Sequence, residues 1–311
     1  MFPVKLRKVL GTACLLALLG GQSSPACDLC SIYAATEAQA GEGKGFYAGV
    51  AEQYTYFNTL QSQGNTVSND GEYIHSLISQ LYVGYRFNDR VGVQFNMPMI
   101  YREFGSNTAS GHESGFGDMS LIGTFLICQE GNEDFNFNWT LLGGVKFPTG
   151  DASRLNPDAP DFATGIGGHD LALGSGSFDG IVGTGFFARW KRLMATATTQ
   201  YAIRTEGAYG YRYANDLTWL AGPGYFLVLA DNHSLALQCM VSGDTKGQDS
   251  IQGDATGDTA ETIVYLGPQV TFTWSTRLSA LLGVDVPVLV HSTGDQLMPD
   301  LRVRASVTWK F

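Results

Sequence analysis

The chain ends in Leu301-Arg302-Val303-Arg304-Ala305-Ser306-Val307-Thr308-Trp309-Lys310-Phe311. Every odd position is apolar and every even position is polar. A period of two sends alternate side chains to opposite faces of a strand. Eleven residues is about the length that a tilted strand needs to cross a bilayer. One face of this stretch is greasy from end to end, and the other carries Arg302, Arg304 and Lys310.

The same alternation recurs upstream. Twelve strand-like segments are expected at 45–58, 73–88, 90–102, 116–128, 134–148, 177–190, 192–204, 215–230, 233–242, 262–274, 277–290 and 301–311. Their connections alternate strictly between long loops and tight turns, with long loops at 59–72, 103–115, 149–176, 205–214, 243–261 and 291–300. A soluble β-sandwich has no reason to sort its connections this way, whereas a transmembrane barrel has short turns on one side and long loops on the other. The expected fold is all-β: a twelve-stranded antiparallel transmembrane β-barrel with both termini periplasmic. The closing strand with its terminal Phe311 resembles that of bacterial outer-membrane barrels, which implies that Trp309 and Phe311 serve as the assembly signal.

The N-terminus reads as a cleaved signal peptide. Lys5, Arg7 and Lys8 precede an apolar run, Val9 to Leu19, and Ser24-Pro25-Ala26 offers small residues for cleavage. An acylated Cys27 is the alternative, but Ser24 stands where an aliphatic residue is expected. Three divisions follow: signal peptide 1–26, a periplasmic segment 27–44, and a barrel 45–311. Cleavage leaves 285 residues with 16 basic and 29 acidic side chains, a net charge of −13. Such a chain is unsuited to nucleic acid. No stretch of eighteen apolar residues marks a transmembrane helix.

Parity assigns the faces. Val91, Val93, Phe95, Met97, Met99 and Tyr101 point outward and Gln94, Asn96 and Arg102 inward. Leu278, Ala280, Leu282, Val284, Val286, Val288 and Val290 point outward, opposite Ser279 and Asp285. Phe87, Phe135, Trp190, Trp274, Trp309 and Phe311 form one aromatic girdle, and Tyr101, Phe147, Phe178 and Trp219 the other. Glu52 breaks the rule, sharing parity with Phe46, Val50 and Tyr54; a bulge or an inward-bent segment would explain it. Pro98, Pro223, Pro268 and Pro287 fall inside strands and call for bulges.

The inward charges have opposite signs at the outer ends of hairpins. Arg102 is expected to meet Asp118, Lys146 to approach Asp179, Arg204 to approach Asp216, and Asp285 to meet Arg302 or Arg304. These nine residues outline a lumen constriction that either filters solutes or only braces the wall. Cys27 and Cys30 have the spacing of a disulfide or redox pair. Cys128 falls on the lumen side and Cys239 on the lipid side. The carboxylate-rich loops, with Asp151, Asp158, Asp161 and Asp170 in one and Asp244, Asp249, Asp254 and Asp258 in the other, lack calcium-loop spacing. Neither a metal nor another cofactor is expected. His112-Glu113-Ser114 has a lipase-like spacing, but no Asn partner follows on the next strand, so no enzyme is expected.

Lys146-Phe147-Pro148-Thr149-Gly150-Asp151 and Leu173-Gly174-Ser175-Gly176-Ser177-Phe178-Asp179 carry a family resemblance. The chain resembles the outer-membrane family named for the meta-pathway of phenol degradation, over most of residues 45–311. The resemblance implies a barrel that transports aromatic or apolar compounds. The expected role is therefore a passive channel for a small solute in the bacterial outer membrane. The alternatives are a structural or partner-binding barrel with an occluded lumen and, more remotely, an outer-membrane lipase. Expected partners are outer-membrane lipid and lipopolysaccharide, the secretion and barrel-assembly machinery and a small-molecule solute, with the barrel a monomer.

Overall fold

The computed structural model describes residues 44–159, 161–275 and 277–311. The stretch expected to be a signal peptide, and Cys27 and Cys30, lie outside the described residues. Twelve antiparallel strands form the wall. They are β1 (Gly45–Ser62), β2 (Tyr73–Arg86), β3 (Val91–Gly105), β4 (Ser120–Gly131), β5 (Phe135–Lys146), β6 (Asp179–Trp190), β7 (Leu193–Ile203), β8 (Asp216–Ala230), β9 (His233–Lys246), β10 (Glu261–Trp274), β11 (Leu278–Ser292) and β12 (Asp295–Lys310). Each pairs with its sequence neighbours, and β12 returns to β1, from Tyr47 opposite Lys310 to Ser62 opposite Asp295. The ring is closed by the β12–β1 ladder, which removes the edges that an open sheet would leave on its first and last strands.

The outer surface explains why the alternation is so regular. Val83, Phe95, Leu121, Leu141, Val182, Leu237, Val270, Leu282 and Val307 are all exposed. So much contiguous apolar surface is unstable in water and is what hydrocarbon wets. Phe87, Phe135, Trp190, Trp274, Trp309 and Phe311 are exposed at the short-turn end. The inner surface is polar and buried, with Gln53, Gln80, Gln94, Asn96 and Gln238 among its residues. No helix among the described residues is long and apolar enough to cross a membrane.

Several boundaries differ from expectation. β1, β3 and β9 run further into the long-loop side, and the ribbon Ser110–Phe116 folds back along β3. The expected loop at 291–300 is mostly strand: β11 turns into β12 at Thr293-Gly294, where Gly294 has φ +59°. The long-and-short alternation therefore fails at the last hairpin. Polar and proline residues there suggested a loop, but extended pairing with β1 decides the structure.

Bulges move residues between faces. Past the shift between Leu126 and Cys128, Cys128 pairs with Trp139 and shares its outward face. The lumen assignment of Cys128 is thus corrected. Val288 is bulged beside Pro287, so Val290 pairs with buried Ile263 rather than facing outward. Pro98 faces the irregular link from Phe116 to Ser120, where Gly117 N–H bonds to its carbonyl. At Pro223 and Pro268 the ladder loses pairs on one side without any change of register. Glu52 needs neither device. Around it β1 stays in register with both neighbours, the shifts lying further on between Tyr56 and Thr59, and its outward carboxylate accepts a hydrogen bond from Ser79 Oγ at 2.6 Å.

Candidate functional site at the loop-side mouth

Six strand ends deliver charged side chains to the long-loop end of the lumen. Lys146 closes β5 and pairs in register with Asp179, which opens β6. Lys146 Nζ lies 2.9 Å from Asp179 Oδ2 and 2.5 Å from Asp118 Oδ2. Arg204, just past β7, continues the chain to Asp179 (3.0 Å) and to Asp216 at the start of β8 (2.8 Å from Nε). All five side chains are buried. Three carboxylates and two cations alternate along the wall, so each charge has an opposite neighbour. Breaking such a buried pair costs about 3–5 kcal/mol, because the survivor is left uncompensated.

A second group lies on β9 to β12. Arg302 Nε is 3.2 Å from Asp285, Nη1 is 3.1 Å from Asp244, and Nη2 donates to Ser242 Oγ at 2.6 Å. The guanidinium lies 3.8 Å from the centroid of the Tyr265 ring, flat against the inner wall. Arg304 takes both oxygens of Asp285, at 2.7 and 3.1 Å. The Asp285 carboxylate thus serves two cations.

Arg102 does not meet Asp118. Its Nη1 donates to the carbonyls of Asp170 (2.5 Å) and Ala172 (2.9 Å), both in the loop between β5 and β6. Asp118 turns to that loop as well, accepting from Gly150 N–H (2.9 Å), Ser175 N–H (2.9 Å) and Ser175 Oγ (2.7 Å). Parity gave the right face for both residues. It could not see that a loop would enter the mouth between them.

That loop is a roof. Ile166 and Leu171 are fully buried against Leu60, Ile74, Phe104 and Leu297 of the barrel rim. Gly165 N–H donates to Glu72 Oε2 (2.8 Å), and Tyr213 OH to the His169 carbonyl (3.0 Å). The two short motifs form the clasp at its root. Thr149 Oγ1 donates to the Gly117 carbonyl (3.0 Å), and Ser177 Oγ to Asp179 Oδ1 (2.9 Å). A side chain on Gly174 would sit 2.5 Å from the Gly150 carbonyl carbon, so the two backbones touch only because both are glycine. Under the roof lies a cavity of about 100 Å³, lined by Phe57, Ile74, Arg102, Tyr213, Lys246, Glu261, Tyr265 and Leu297, among others.

Beside it, Lys246 pairs with Asp249 (3.1 Å), which also accepts from Tyr211 OH (2.6 Å). Burial, and after it the Asp249 charge, push the Tyr211 hydroxyl far above a tyrosine's ordinary value, so it stays a donor. Ser175, Ser177, Glu72, Ser242, Asp244, Lys246, Asp249 and Tyr265 were not singled out as lumen residues from sequence. Ser175 and Ser177 were visible only as parts of a motif, and Asp244, Lys246 and Asp249 read as loop.

No group of three or more His, Cys, Asp or Glu side chains among the described residues is arranged to hold a metal. His112 stacks on Tyr101, while Glu113 bonds to Arg154 (2.8 Å to Nε). Alternation puts Glu113 on the other face of the ribbon from His112 and Ser114, so the three do not converge.

The model of the family described as "Putative MetA-pathway of phenol degradation" matches residues 51–294. No curated protein sequence matches the chain. Among solved structures, the COG4313 outer membrane channel from Pseudomonas putida F1 is similar, with a TM-score of 0.66 at 15% identity, covering 89% of this chain and 98% of that one. The translocator domain of the autotransporter NalP from Neisseria meningitidis gives a TM-score of 0.44 at 12% identity, with 98% of each chain covered. The CymD monoaromatic hydrocarbon channel gives 0.40 at 8% identity, covering 94% of this chain and 95% of that one. These last two likenesses are too slight to argue from. The first establishes the fold, a barrel of the bacterial outer membrane.

Proposed function

The chain belongs to the MetA-pathway phenol-degradation family, and from that premise we propose that it is a passive outer-membrane channel for a small, uncharged, largely apolar solute. The loop side faces out of the cell and the short turns face the periplasm, with residues 1–26 removed on export. Trp309 and Phe311 address the chain to the barrel-assembly machinery. The product is a monomer in contact with outer-membrane lipid and lipopolysaccharide.

The observation that carries this reading is the state of the charges at the mouth. Each of Lys146, Arg204, Arg302 and Arg304 is buried against a carboxylate. A filter for ions needs net charge facing the path. Matched pairs in the wall present little net field, so the paired-charge collar braces the mouth and leaves selection to shape and apolarity. The cavity beneath the roof has an apolar side, Phe57, Ile74, Ile263 and Leu297, across from charged side chains that include Arg102, Asp244, Lys246 and Glu261.

The seated roof favours a second reading, a barrel held shut whose loops meet a partner. Planar-bilayer recording and liposome uptake separate the two. The channel reading expects a small conductance with weak ion selectivity, and faster entry of neutral aromatic solutes than of sugars or anions. Silent bilayers and no uptake above protein-free liposomes would leave the closed, partner-binding barrel standing.

A further inference from the structure

The inward cations of this barrel are not all alike. Lys146, Arg204, Lys246, Arg302 and Arg304 each hold a carboxylate. Arg102, only 8% exposed, has no carboxylate partner among the described residues. Its hydrogen bonds are the two from Nη1 to the carbonyls of Asp170 and Ala172. A guanidinium donates through all three of its nitrogens, so Nε and Nη2 are left over. These two are not sealed inside the wall, as Gln80 Oε1 is. They belong to a side chain that lines the cavity beneath the roof.

The rest of the cavity limits what can meet them. Its apolar side is Phe57, Ile74, Ile263 and Leu297. Its charges come in both signs, with Arg102 and Lys246 set against Asp170, Asp244 and Glu261. Most of these are already engaged. Lys246 holds Asp249 at 3.1 Å, Asp244 holds Arg302 at 3.1 Å, and the Asp170 carboxylate takes the Gly167 N–H at 2.9 Å. Glu261 stands opposite Lys246 in register. A carboxylate entering this space would face three others, and an ammonium would face two cations. Either ion would also give up its water for a partly apolar surface, which is costly. The complement to Arg102 here is an acceptor that brings no charge of its own.

We infer that the cavity under the roof is a binding site for a small uncharged molecule with an apolar body and one carbonyl oxygen. The oxygen accepts from Nε and Nη2 of Arg102, and the body lies on Phe57, Ile74, Ile263 and Leu297. A carbonyl oxygen has two lone pairs and can take both donors. At about 100 Å³, the cavity has room for roughly five or six non-hydrogen atoms. The inference rests on the channel reading and adds to it a specificity-determining residue and the functional group that it selects.

The test uses the full chain in lipid nanodiscs with four probes of one size: cyclopentanone, methylenecyclopentane, butanoate and cyclopentylammonium. Affinity is read by saturation transfer to the ligand protons. The ketone should bind about tenfold more tightly than the alkene of the same shape, the effect of a hydrogen bond from a charged donor. Both ions should bind more weakly than the ketone. A second readout separates the site from lipid: the carbonyl stretch of bound cyclopentanone should fall in frequency relative to the ketone in protein-free nanodiscs. Arg102→Met should abolish both the preference and the shift. Ile263→Phe fills the cavity from β10 and leaves Arg102 with its roof carbonyls, so ketone and alkene should be lost together. That variant decides by itself if Arg102→Met does not fold. A preference or shifted band that survives in Arg102→Met would overturn the site. So would an alkene or an ion bound by the wild type as tightly as the ketone, or ketone binding unchanged in Ile263→Phe. Uptake by proteoliposomes keeps the two claims apart. Discrimination without uptake upholds the site and overturns the channel; uptake with no discrimination does the reverse.

Discussion

Two buried ion-pair groups occupy the same end of this barrel and use the same residue types, yet they fasten different things. Asp118, Lys146, Asp179, Arg204 and Asp216 run along strand ends and reach the roof through Ser175 and Gly150. The ion pairs of Asp244, Asp285, Arg302 and Arg304 join strand to strand. The first group latches a loop and the second braces a wall. What separates them is contact with loop backbone: Asp118 accepts amide protons from Gly150 and Ser175, whereas Asp285 spends both oxygens on guanidinium groups. A salt-bridge network read from sequence alone does not declare which of these tasks it has.

The comparison breaks most sharply at Asp285. Asp285→Ala takes the carboxylate from buried Arg304, leaves Arg302 with Asp244 as its carboxylate, and should lower stability by about 3–5 kcal/mol, read as the temperature at which the folded band is lost on unboiled gels. Cleavage within 149–176 should not rise below that temperature; early cleavage there would mean that the wall group also holds the roof. Lys146→Ala should cost about 3 kcal/mol and do the opposite, exposing 149–176 to protease well before the barrel melts. If loop and barrel yield together, the latch assignment fails. Ser175→Ala, which removes a hydroxyl bonded to a carboxylate, should cost about 2 kcal/mol and loosen the same loop. Arg154→Ala breaks a half-exposed pair with Glu113 and should change stability by no more than about 1 kcal/mol.

The pH response is the mildest probe. Tyr211 keeps its proton in the fold, while in the unfolded chain it ionises near 10.0. Its contribution is complete below that pH and drains away above it, because the unfolded state then gains by losing a proton. Loosening of the Tyr211–Asp249 region above about pH 10 should vanish in Tyr211→Phe. An alkaline transition that persists in the variant would assign it to another group.

Most of the wall was legible because period-two alternation over eleven or more residues has few competing explanations. The eleventh and twelfth strands are longer than the pattern predicts, because His291, Asp295, Pro299 and Asp300 look like loop residues, and only the pairing of His291 with Thr262 of β10 and of Asp295 and Pro299 with β1 makes this stretch strand. Cys128 and Val290 were assigned to the wrong face for one reason: each follows an extra residue, and parity counted along the chain cannot detect a bulge. At the mouth, the pairs Lys146 with Asp179 and Asp285 with Arg302 sit in register across neighbouring strands, which a hairpin count can anticipate. Arg102 and Asp118 lie beside a long loop, whose path no periodicity encodes. That Arg102 bonds to loop carbonyls and not to a carboxylate left no trace in the sequence, where Asp118 looks like its partner.

The roof has anchors on far-apart parts of the chain. Gly165 meets Glu72, next to the second strand, and Leu297, in the last; those two anchors become neighbours only when the final strand docks on the first. The cap therefore cannot settle during synthesis or translocation, whatever its own sequence prefers. The cylinder must be shut before its lid has anything to rest on, so every newly inserted molecule passes through an uncapped stage.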